Sequence, residues 1–533
     1  MLVILDGIGV GAGDAYDAVQ AARTPVLDQL GTDALYRTLQ AHGTAVGLPS
    51  DADVGNSEVG HNILGAGRIF DQGAKCVDKA IATGAIWSGV WGEVITQVTA
   101  ENSTLHLLGL LSDGNVHSNM NHLFALIDRA HADGIQRVRL HFLTDGRDVP
   151  DFSAEEYVAQ VEEKFAAINA SSEFDYRIAS GGGRMITTMD RYEADWTIVE
   201  RGWQAHVLGT ARAFSSAQEA IETLRAEQPR LSDQRLGAFT ICDDNGAVGP
   251  VENGDAVVLF NFRGDRAIEI SQAFTEGTTF EGFDRVRVPN VYFAGMMLYD
   301  GDLAIPENYL VSPETVENTV SEYLANAGVS QFACAETQKF GHVTYFWNGN
   351  RSEKFNDASE TYLEIPSDLV PFEERPWMKS AETADAIIEA IDSGTHRFIR
   401  ANFAGGDMVG HTGAFEAAVI AIESLDLALA RILPAVERAG GCLVVTADHG
   451  NADDMVERDK GGQPQLDDEG SPRWRTSHSL NPVPLLIRDF AGRLPELRGD
   501  LNQAGLANVA ATLIELLGFD APGDYEPSLL EWR

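Results

Sequence analysis

Two short motifs late in the chain carry the residue types that bind divalent metals. In Asp407-Met408-Val409-Gly410-His411 a carboxylate and an imidazole stand four apart, on one face if the turn is helical. Asp448-His449 repeats the pairing further on. A third histidine, His478, and an aspartate near the start, Asp6, complete a set of mixed oxygen and nitrogen donors suited to two divalent cations. The remaining chemical candidate is Ser57, inside Asp53-Val54-Gly55-Asn56-Ser57-Glu58-Val59-Gly60-His61. A serine among small residues at a helix start can expose its hydroxyl, and the free N–H groups there favour an anion beside it. The same pattern is an ordinary loop running into a helix cap. Ser57 therefore takes its weight from the metal-type residues elsewhere, and with them it reads as a nucleophile that accepts a phosphoryl group.

A second set of residues points to anion binding. Arg263 and Arg266 stand three apart where a strand delivers a helix. Two arginines at a helix start oppose its dipole, a cost that a bound anion relieves. Ser180-Gly181-Gly182-Gly183-Arg184 suits close approach of backbone to an anion, although a flexible surface turn reads the same way. Met189-Asp190-Arg191 follows it. Ser112-Asp113-Gly114-Asn115-Val116-His117 and Thr144-Asp145-Gly146-Arg147-Asp148 place further polar groups just past apolar runs. Lys339, in Thr337-Gln338-Lys339-Phe340-Gly341-His342, carries no chemical signal on its own.

These residues sit in an alternation of strand-length apolar runs and amphipathic helical stretches, the pattern of an α/β protein. Strands are expected at 3–5, 105–111, 138–143, 176–179, 257–262, 291–293, 398–403, 442–446 and 483–487. Helices are expected over 24–35, 78–98, 121–132, 154–168 and 415–438, with Pro434 marking a kink in the last. The stretch before Ser57 reads as a polar, Gly-rich loop, 300–302 as a turn and 305–308 as a linker. In open α/β sheets ligands gather at the carboxyl ends of strands, where Asp6, Asp407 and Asp448 all fall.

A chain of 533 residues predicts two to four domains. No apolar run is long enough to span a bilayer, and the N-terminus reads as a strand rather than a leader. The four cysteines, Cys76, Cys242, Cys334 and Cys442, form no metal or redox spacing and suggest reduced thiols in a cytoplasmic protein. With 80 acidic against 39 basic residues the formal net charge is −41, which repels nucleic acid and anionic membranes. Such acidity fits either adaptation to high salt or an acidic enzyme with no salt requirement. It also means that an anionic substrate needs its positive charge concentrated locally.

Taken together, Leu5-Asp6-Gly7, 55–61, 112–117, Asp145-Gly146-Arg147-Asp148, Met189-Asp190-Arg191, 261–266, 407–413 and 446–451 resemble the cofactor-independent phosphoglycerate mutases. The resemblance covers essentially the whole chain, in the family's order. The Gly-Gly-Gly-Arg-Met form at 181–185 and the long loop before His478 resemble the plant and trypanosomatid branch. The resemblance implies an alkaline-phosphatase-like α/β domain in two segments, 1–70 and 308–533. An inserted α/β phosphotransferase domain at 75–303 would lie between them in sequence. It implies one metal held by Asp407, His411 and His478 and another by Asp6, Ser57, Asp448 and His449. Mn²⁺ is the first expectation, Mg²⁺ or Co²⁺ the alternatives, and no 2,3-bisphosphoglycerate is required. His117, Arg147, Asp148, Arg184, Arg191, Arg263 and Arg266 would hold phosphoglycerate, with Lys339 reaching in from the outer domain. The implied reaction passes through phosphorylated Ser57, with Asp148 or His117 moving the glycerate proton and domain closure excluding water. A cytoplasmic monomer is expected, with no nucleic-acid or membrane partner. Other readings are a dimetal phosphatase, a phosphopentomutase (usually a threonine nucleophile and a smaller insert) and a non-catalytic anion or metal binder.

Overall fold

The computed structural model describes all residues except Tyr192, Glu193, Gly301, Asp302, Thr315, Lys460, Asp468, Leu494, Asn502 and Arg533. The turn expected at 300–302 therefore lies largely outside the described residues. The chain forms two compact units, one of Met1–Gln72 with Glu314–Arg533 and one of Gly73–Pro313. No helix among the described residues is long and apolar enough to cross a membrane.

The outer unit is built on a seven-stranded sheet in the order Glu360–Ile365, Gln331–Glu336, Phe398–Phe403, Leu2–Leu5, Cys442–Thr446, Val483–Asp489, Leu35–Leu39. The first five strands are parallel and the last two are added antiparallel. All four residues of Leu2–Leu5 are buried, as a strand covered on both faces requires. Its register sets Leu5 beside Phe403 and Ile4 beside Thr446. The chain therefore leaves three neighbouring strands at one edge, and Asp6, Asp407 and Asp448 follow at once. The Phe415–Arg438 helix packs Ala418, Ala421, Ile422, Leu425, Leu429 and Ile432 inward, a spacing of three and four, with Pro434 inside its last turns.

The loop expected before Ser57 contains a strand, Leu35–Leu39, and a short turn of 3₁₀ helix, Gly43–Val46. The strand is an edge, and its alternating exposure put too few apolar residues in the sequence to mark it. The preceding helix accordingly stops early, at Pro25–Asp33.

The inner unit holds an eight-strand path, Tyr309–Val311, Tyr292–Met297, Ala256–Leu259, Leu105–Leu111, Arg137–Thr144, Asp175–Gly183, Phe239–Asp243, Arg212–Phe214, with Gly246–Ala247 appended. Here the structure corrects two expectations. Gly181, Gly182 and Gly183 form no loose loop; they continue the Asp175–Gly183 strand. A Cβ on Gly181 would lie 2.5 Å from the Phe239 ring and one on Gly183 2.5 Å from the Gln234 backbone, so the glycines admit protein, not an anion. Arg263 and Arg266 also lie before a helix rather than in one, since the helix begins at Ile268. The stretch expected as a linker at 305–308 runs directly into the Tyr309–Val311 strand of this sheet.

The inner sheet buries three histidines, His106, His141 and His206. Burial pushes all three below their ordinary value, His141 strongly and His206 to about 3. Each is therefore neutral in the folded unit, whereas the unfolded chain takes up protons below pH 6.5 or so. The unfolded state then binds more protons, and stability falls as pH drops through that value. For His206 the expected loss between pH 6.5 and 5.5 is about 1 kcal/mol, and His106 and His141 add to it in the same direction. Hydrogen exchange in the Leu105–Leu111 and Arg137–Thr144 strands at the two pH values, corrected for intrinsic rates, measures it. Equal protection would contradict it.

Candidate metal and anion centres

Ser57 is the first residue of the Ser57–Ala66 helix, and Asn56 caps that helix by accepting from the Val59 N–H at 3.0 Å. The helix start is buried, with Ser57 only 4 % exposed. Gly60 lets the helix lie against the Asp448 turn, where a Cβ would come within 2.6 Å of the Asp448 carbonyl oxygen. Three groups meet the Ser57 hydroxyl: Lys339 Nζ at 2.5 Å, His449 Nε2 at 2.9 Å and Asp6 Oδ1 at 3.2 Å. Lys339 comes from the Thr337–Gly341 helix, directly after a strand of the same sheet. Its ammonium also donates to Asp6 Oδ1 and Asp407 Oδ2, each at 2.7 Å.

Two clusters of buried ligand-type side chains surround this point: Asp407, His411 and His478, and Asp6, Asp448 and His449. In the first, both histidine Nε2 atoms lie 3.1 Å from Asp407 Oδ1 and 3.0 Å from each other. The Nδ1 of His411 is bound to the Thr476 carbonyl at 2.5 Å and that of His478 to the Gly55 carbonyl at 2.8 Å. A carbonyl only accepts, so in the neutral rings Nδ1 carries the hydrogen and both Nε2 lone pairs converge on the carboxylate oxygen. Lone pairs facing one another at this distance repel unless a cation sits among them. Separations near 3 Å are also what ligands about 2.1 Å from one ion subtend at right angles. The donor set thus fits a divalent cation.

The electrostatics of the second cluster agree. Burial and the neighbouring Asp448 push the Asp6 carboxyl up to about 7, against the pull of Lys339. Burial acts on Asp407 and Asp448 as well. It is outweighed chiefly by Lys339 at Asp407 and by His449, His61 and Lys339 at Asp448, so both fall below the usual carboxylate range. Three buried carboxylates thus face one lysine, and the surplus negative charge returns as the raised Asp6 value. Added positive charge would relieve it.

Of the residues that orient these ligands, sequence reasoning missed Asn402 and Asn451 and gave His61 no role beyond capping or supporting hydrogen bonds. Asn402 donates to Asp6 Oδ2 at 2.7 Å and Asn451 to Asp407 Oδ1 at 3.0 Å. His61 Nδ1 lies 2.7 Å from the Ser57 carbonyl and 3.2 Å from Asp448 Oδ2, and its Nε2 lies 3.1 Å from Asn402 Nδ2. Asn402 is a buried polar residue in a strand that is otherwise apolar apart from Arg400, and that contrast was the available signal.

The inner unit gathers the remaining candidates. Arg184 donates to Asp145 Oδ1 at 2.8 Å and to Asp148 Oδ2, and Asp145 also receives the Ser112 hydroxyl at 2.7 Å. Arg263 Nε lies 2.9 Å and Arg191 3.5 Å from Asp265, while Arg266 donates to the Met189 carbonyl at 2.5 Å. Arg147 is half-buried in the turn whose N–H groups Asp145 binds. Asp145 and Asp265 were not singled out in the sequence. Burial and the cations Arg184, Arg263, Arg266 and Arg191 hold the His117 imidazole well below its ordinary value, so it is neutral. Its buried Nδ1 makes no hydrogen bond and lies 3.8 Å from Asp265 Oδ1. Five arginines against three carboxylates leave a local positive surplus in a strongly acidic protein. Consistent with that, burial and Arg191 push Arg266 well below its ordinary value despite Asp265.

Fold and site together define a metal-dependent enzyme class, and the chain matches the Metalloenzyme superfamily over residues 1–521. It is 53 % identical to the 2,3-bisphosphoglycerate-independent phosphoglycerate mutase of Trypanosoma brucei brucei, covering 100 % of this chain and 97 % of that one. It is 52 % identical to phosphoglycerate mutase 1 of the same kind from Arabidopsis thaliana, over 99 % of this chain and 96 % of that one. Among solved structures, a Leishmania mexicana phosphoglycerate mutase crystallised at low cobalt concentration superposes with a TM-score of 0.98 at 52 % identity, over 100 % of this chain and 97 % of that one. The chain belongs to the 2,3-bisphosphoglycerate-independent phosphoglycerate mutase family.

Proposed function

We propose that the protein is an isomerase that interconverts 3-phosphoglycerate and 2-phosphoglycerate, through a phosphoryl group carried on Ser57. The observation that carries this reading is the Ser57 hydroxyl held among Lys339, His449 and Asp6 at a helix start. Divalent ions at Asp407, His411 and His478, and at Asp6, Asp448, His449 and Ser57, would supply Lewis-acid stabilisation of the transferring phosphoryl group. Mn²⁺ is the proposed ion, with Mg²⁺ or Co²⁺ as alternatives, and 2,3-bisphosphoglycerate is not needed.

The chain's own groups do the rest. Lys339 places a compact positive charge at the Ser57 oxygen, where negative charge grows in the transition state. The dipole and N–H groups of the Ser57–Ala66 helix favour the same charge. Asn402 and Asn451 fix the orientation of Asp6 and Asp407. In the inner unit Arg147, Arg184, Arg191, Arg263 and Arg266 hold the phosphoglycerate anion, with guanidinium forks matching its carboxylate and phosphate. His117 is neutral and has an acceptor nitrogen for a glycerate hydroxyl proton, and Asp148, fixed by Arg184, is the other candidate for that role. In this reading the outer unit is the phosphatase-like domain and the inner unit the phosphotransferase domain. The protein acts as a cytoplasmic monomer on a small molecule, and its charge of −41 disfavours nucleic acid and anionic membranes as partners.

The test is conversion of 3-phosphoglycerate with no 2,3-bisphosphoglycerate present, after chelation and again after Mn²⁺ addition, following free phosphate in the same reaction. Metal-dependent isomerisation with little phosphate release is expected. Phosphate release without isomerisation would make the protein a phosphatase instead.

A further inference from the structure

A line of hydrogen bonds runs through the inner unit and takes no part in the chemistry above. Asp255 Oδ2 lies 3.0 Å from His106 Nε2, His106 Nδ1 lies 2.8 Å from His141 Nε2, and His141 Nδ1 lies 2.6 Å from Ser180 Oγ. Ser180 Oγ is in turn 2.7 Å from His206 Nδ1, and His206 Nε2 is 2.9 Å from Thr188 Oγ1. His106, His141 and Ser180 belong to three adjacent parallel strands, so the line crosses the sheet. All six residues are buried.

The direction of every bond follows from one end. Asp255 also accepts the Thr104 and Glu252 N–H groups at 2.8 Å, and its carboxyl is held below the ordinary range, because the hydrogen bonds from His106, Glu252 and Thr104 outweigh burial. It is therefore an ionised acceptor, and His106 Nε2 must donate. A neutral ring that donates from one nitrogen accepts at the other, so His141 Nε2 donates to His106 Nδ1 and the Ser180 hydroxyl donates to His141 Nδ1. Ser180 oxygen then accepts from His206 Nδ1, and His206 Nε2 accepts from the Thr188 hydroxyl. This is the assignment for three neutral rings, the form that their burial favours; a cationic His106 would reverse every bond beyond it.

The far end is where backbone strain sits. Thr188 has φ +69°, a left-handed conformation that a β-branched residue rarely adopts. It is pinned by its N–H to the Ile198 carbonyl at 2.8 Å and, through its hydroxyl, by His206. Its oxygen also nests against Gly202, where a Cβ would lie 2.0 Å away. The conformation of Thr188 sets the direction of Met189, whose side chain packs on Leu110 and Leu143 and whose carbonyl receives Arg266 at 2.5 Å. Arg191 follows two residues later.

We propose that Asp255, acting through His106, His141, Ser180 and His206, fixes the hydrogen bond that holds Thr188 left-handed, which makes Thr188 a positioning residue for Arg266 and Arg191. The inference rests on the phosphoglycerate-binding reading of those two arginines. Strain at Thr188 is thereby balanced by a partner whose tautomer is dictated from the other side of the sheet. Losing the hydroxyl should loosen the anion site and leave the Ser57 chemistry intact.

Two measurements test it. Selective ¹⁵N-histidine NMR of the wild-type protein should find His106 and His141 as Nε2–H tautomers and His206 as the Nδ1–H tautomer, all neutral at pH 7. In steady-state kinetics Thr188→Ala should raise KM for 3-phosphoglycerate by about tenfold with kcat changed less than about twofold, and Thr188→Ser should restore KM. A Thr188→Ala protein with wild-type KM, or a wild-type His206 in the Nε2–H form, would overturn the proposal. A merely structural role predicts a lower Tm for Thr188→Ala with KM unmoved. If the wild type shows no isomerisation, the functional reading fails, and the tautomer measurement still decides the relay.

Discussion

Ser57→Ala is expected to lower kcat for isomerisation by at least about 10⁴-fold, because it removes the only atom proposed to carry the phosphoryl group. The substitution deletes one hydroxyl from a buried position and leaves Asp6, Asp448 and His449 in place. Lys339 keeps its contacts to Asp6 and Asp407. Thermal stability and the metal held by Asp407, His411 and His478 should therefore stay close to wild type, which separates lost chemistry from lost structure. Brief incubation of the wild type with phosphoglycerate, quenched in acid and read by peptide mass spectrometry, should find phosphate on Ser57. The variant should carry none. A Ser57→Ala protein within tenfold of wild-type kcat, or wild-type phosphate on a different residue, would remove Ser57 from the mechanism.

The ligand-type residues were legible because each follows an apolar run that ends abruptly in polar residues. Phe398–Phe403 leads to Asp407, and Cys442–Thr446 to Asp448. Long periodic helices were equally plain, and Ala154–Ile168 and Phe415–Arg438 have the bounds that their spacing predicts. What stayed hidden has specific physical causes. Leu35–Leu39 exposes alternate residues at a sheet edge, so its pattern is that of a loop. Gly181 to Gly183 look like a flexible turn, yet they are glycines because Phe239 and Gln234 press against them. Asp145 and Asp265 order the arginines from within the same motifs, and no local pattern distinguishes a carboxylate that neutralises an arginine from one that does chemistry. The relay from Asp255 to Thr188 joins residues distant in sequence across three strands, and only the register brings them together.

Lys339→Met is the second substitution with a large expected effect, and it acts on stability as well as rate. In the absence of metal, Lys339 is the ammonium that bridges Asp6 and Asp407. Those two carboxylates and the charge of Asp448 raise its pKa against burial, and its own charge is the chief reason that Asp407 stays ionised. Removing one partner of a buried ion pair costs about 3–5 kcal/mol, so the metal-free variant should melt on the order of 10 °C below wild type at pH 7.5. The sign of the pH dependence follows. Without Lys339 the folded-state pKa of Asp407 rises. Protonation of the cluster then becomes easier in the folded than in the unfolded chain, and the deficit shrinks as pH falls. Mn²⁺ should narrow it as well, because ions held by Asp407, His411 and His478 and by Asp6, Asp448 and His449 would supply the missing positive charge and bind the folded state. The rate should not recover with the stability. The lost charge lies 2.5 Å from Ser57 Oγ, and kcat in saturating Mn²⁺ should remain about 10²–10³-fold low. Melting curves in chelator and in Mn²⁺ at pH 7.5 and 6, with kcat measured in the same buffers, separate the two effects. Equal Tm values for variant and wild type in chelator would show that the lysine does not hold the cluster together. A kcat restored by Mn²⁺ would show that it takes no part in phosphoryl transfer.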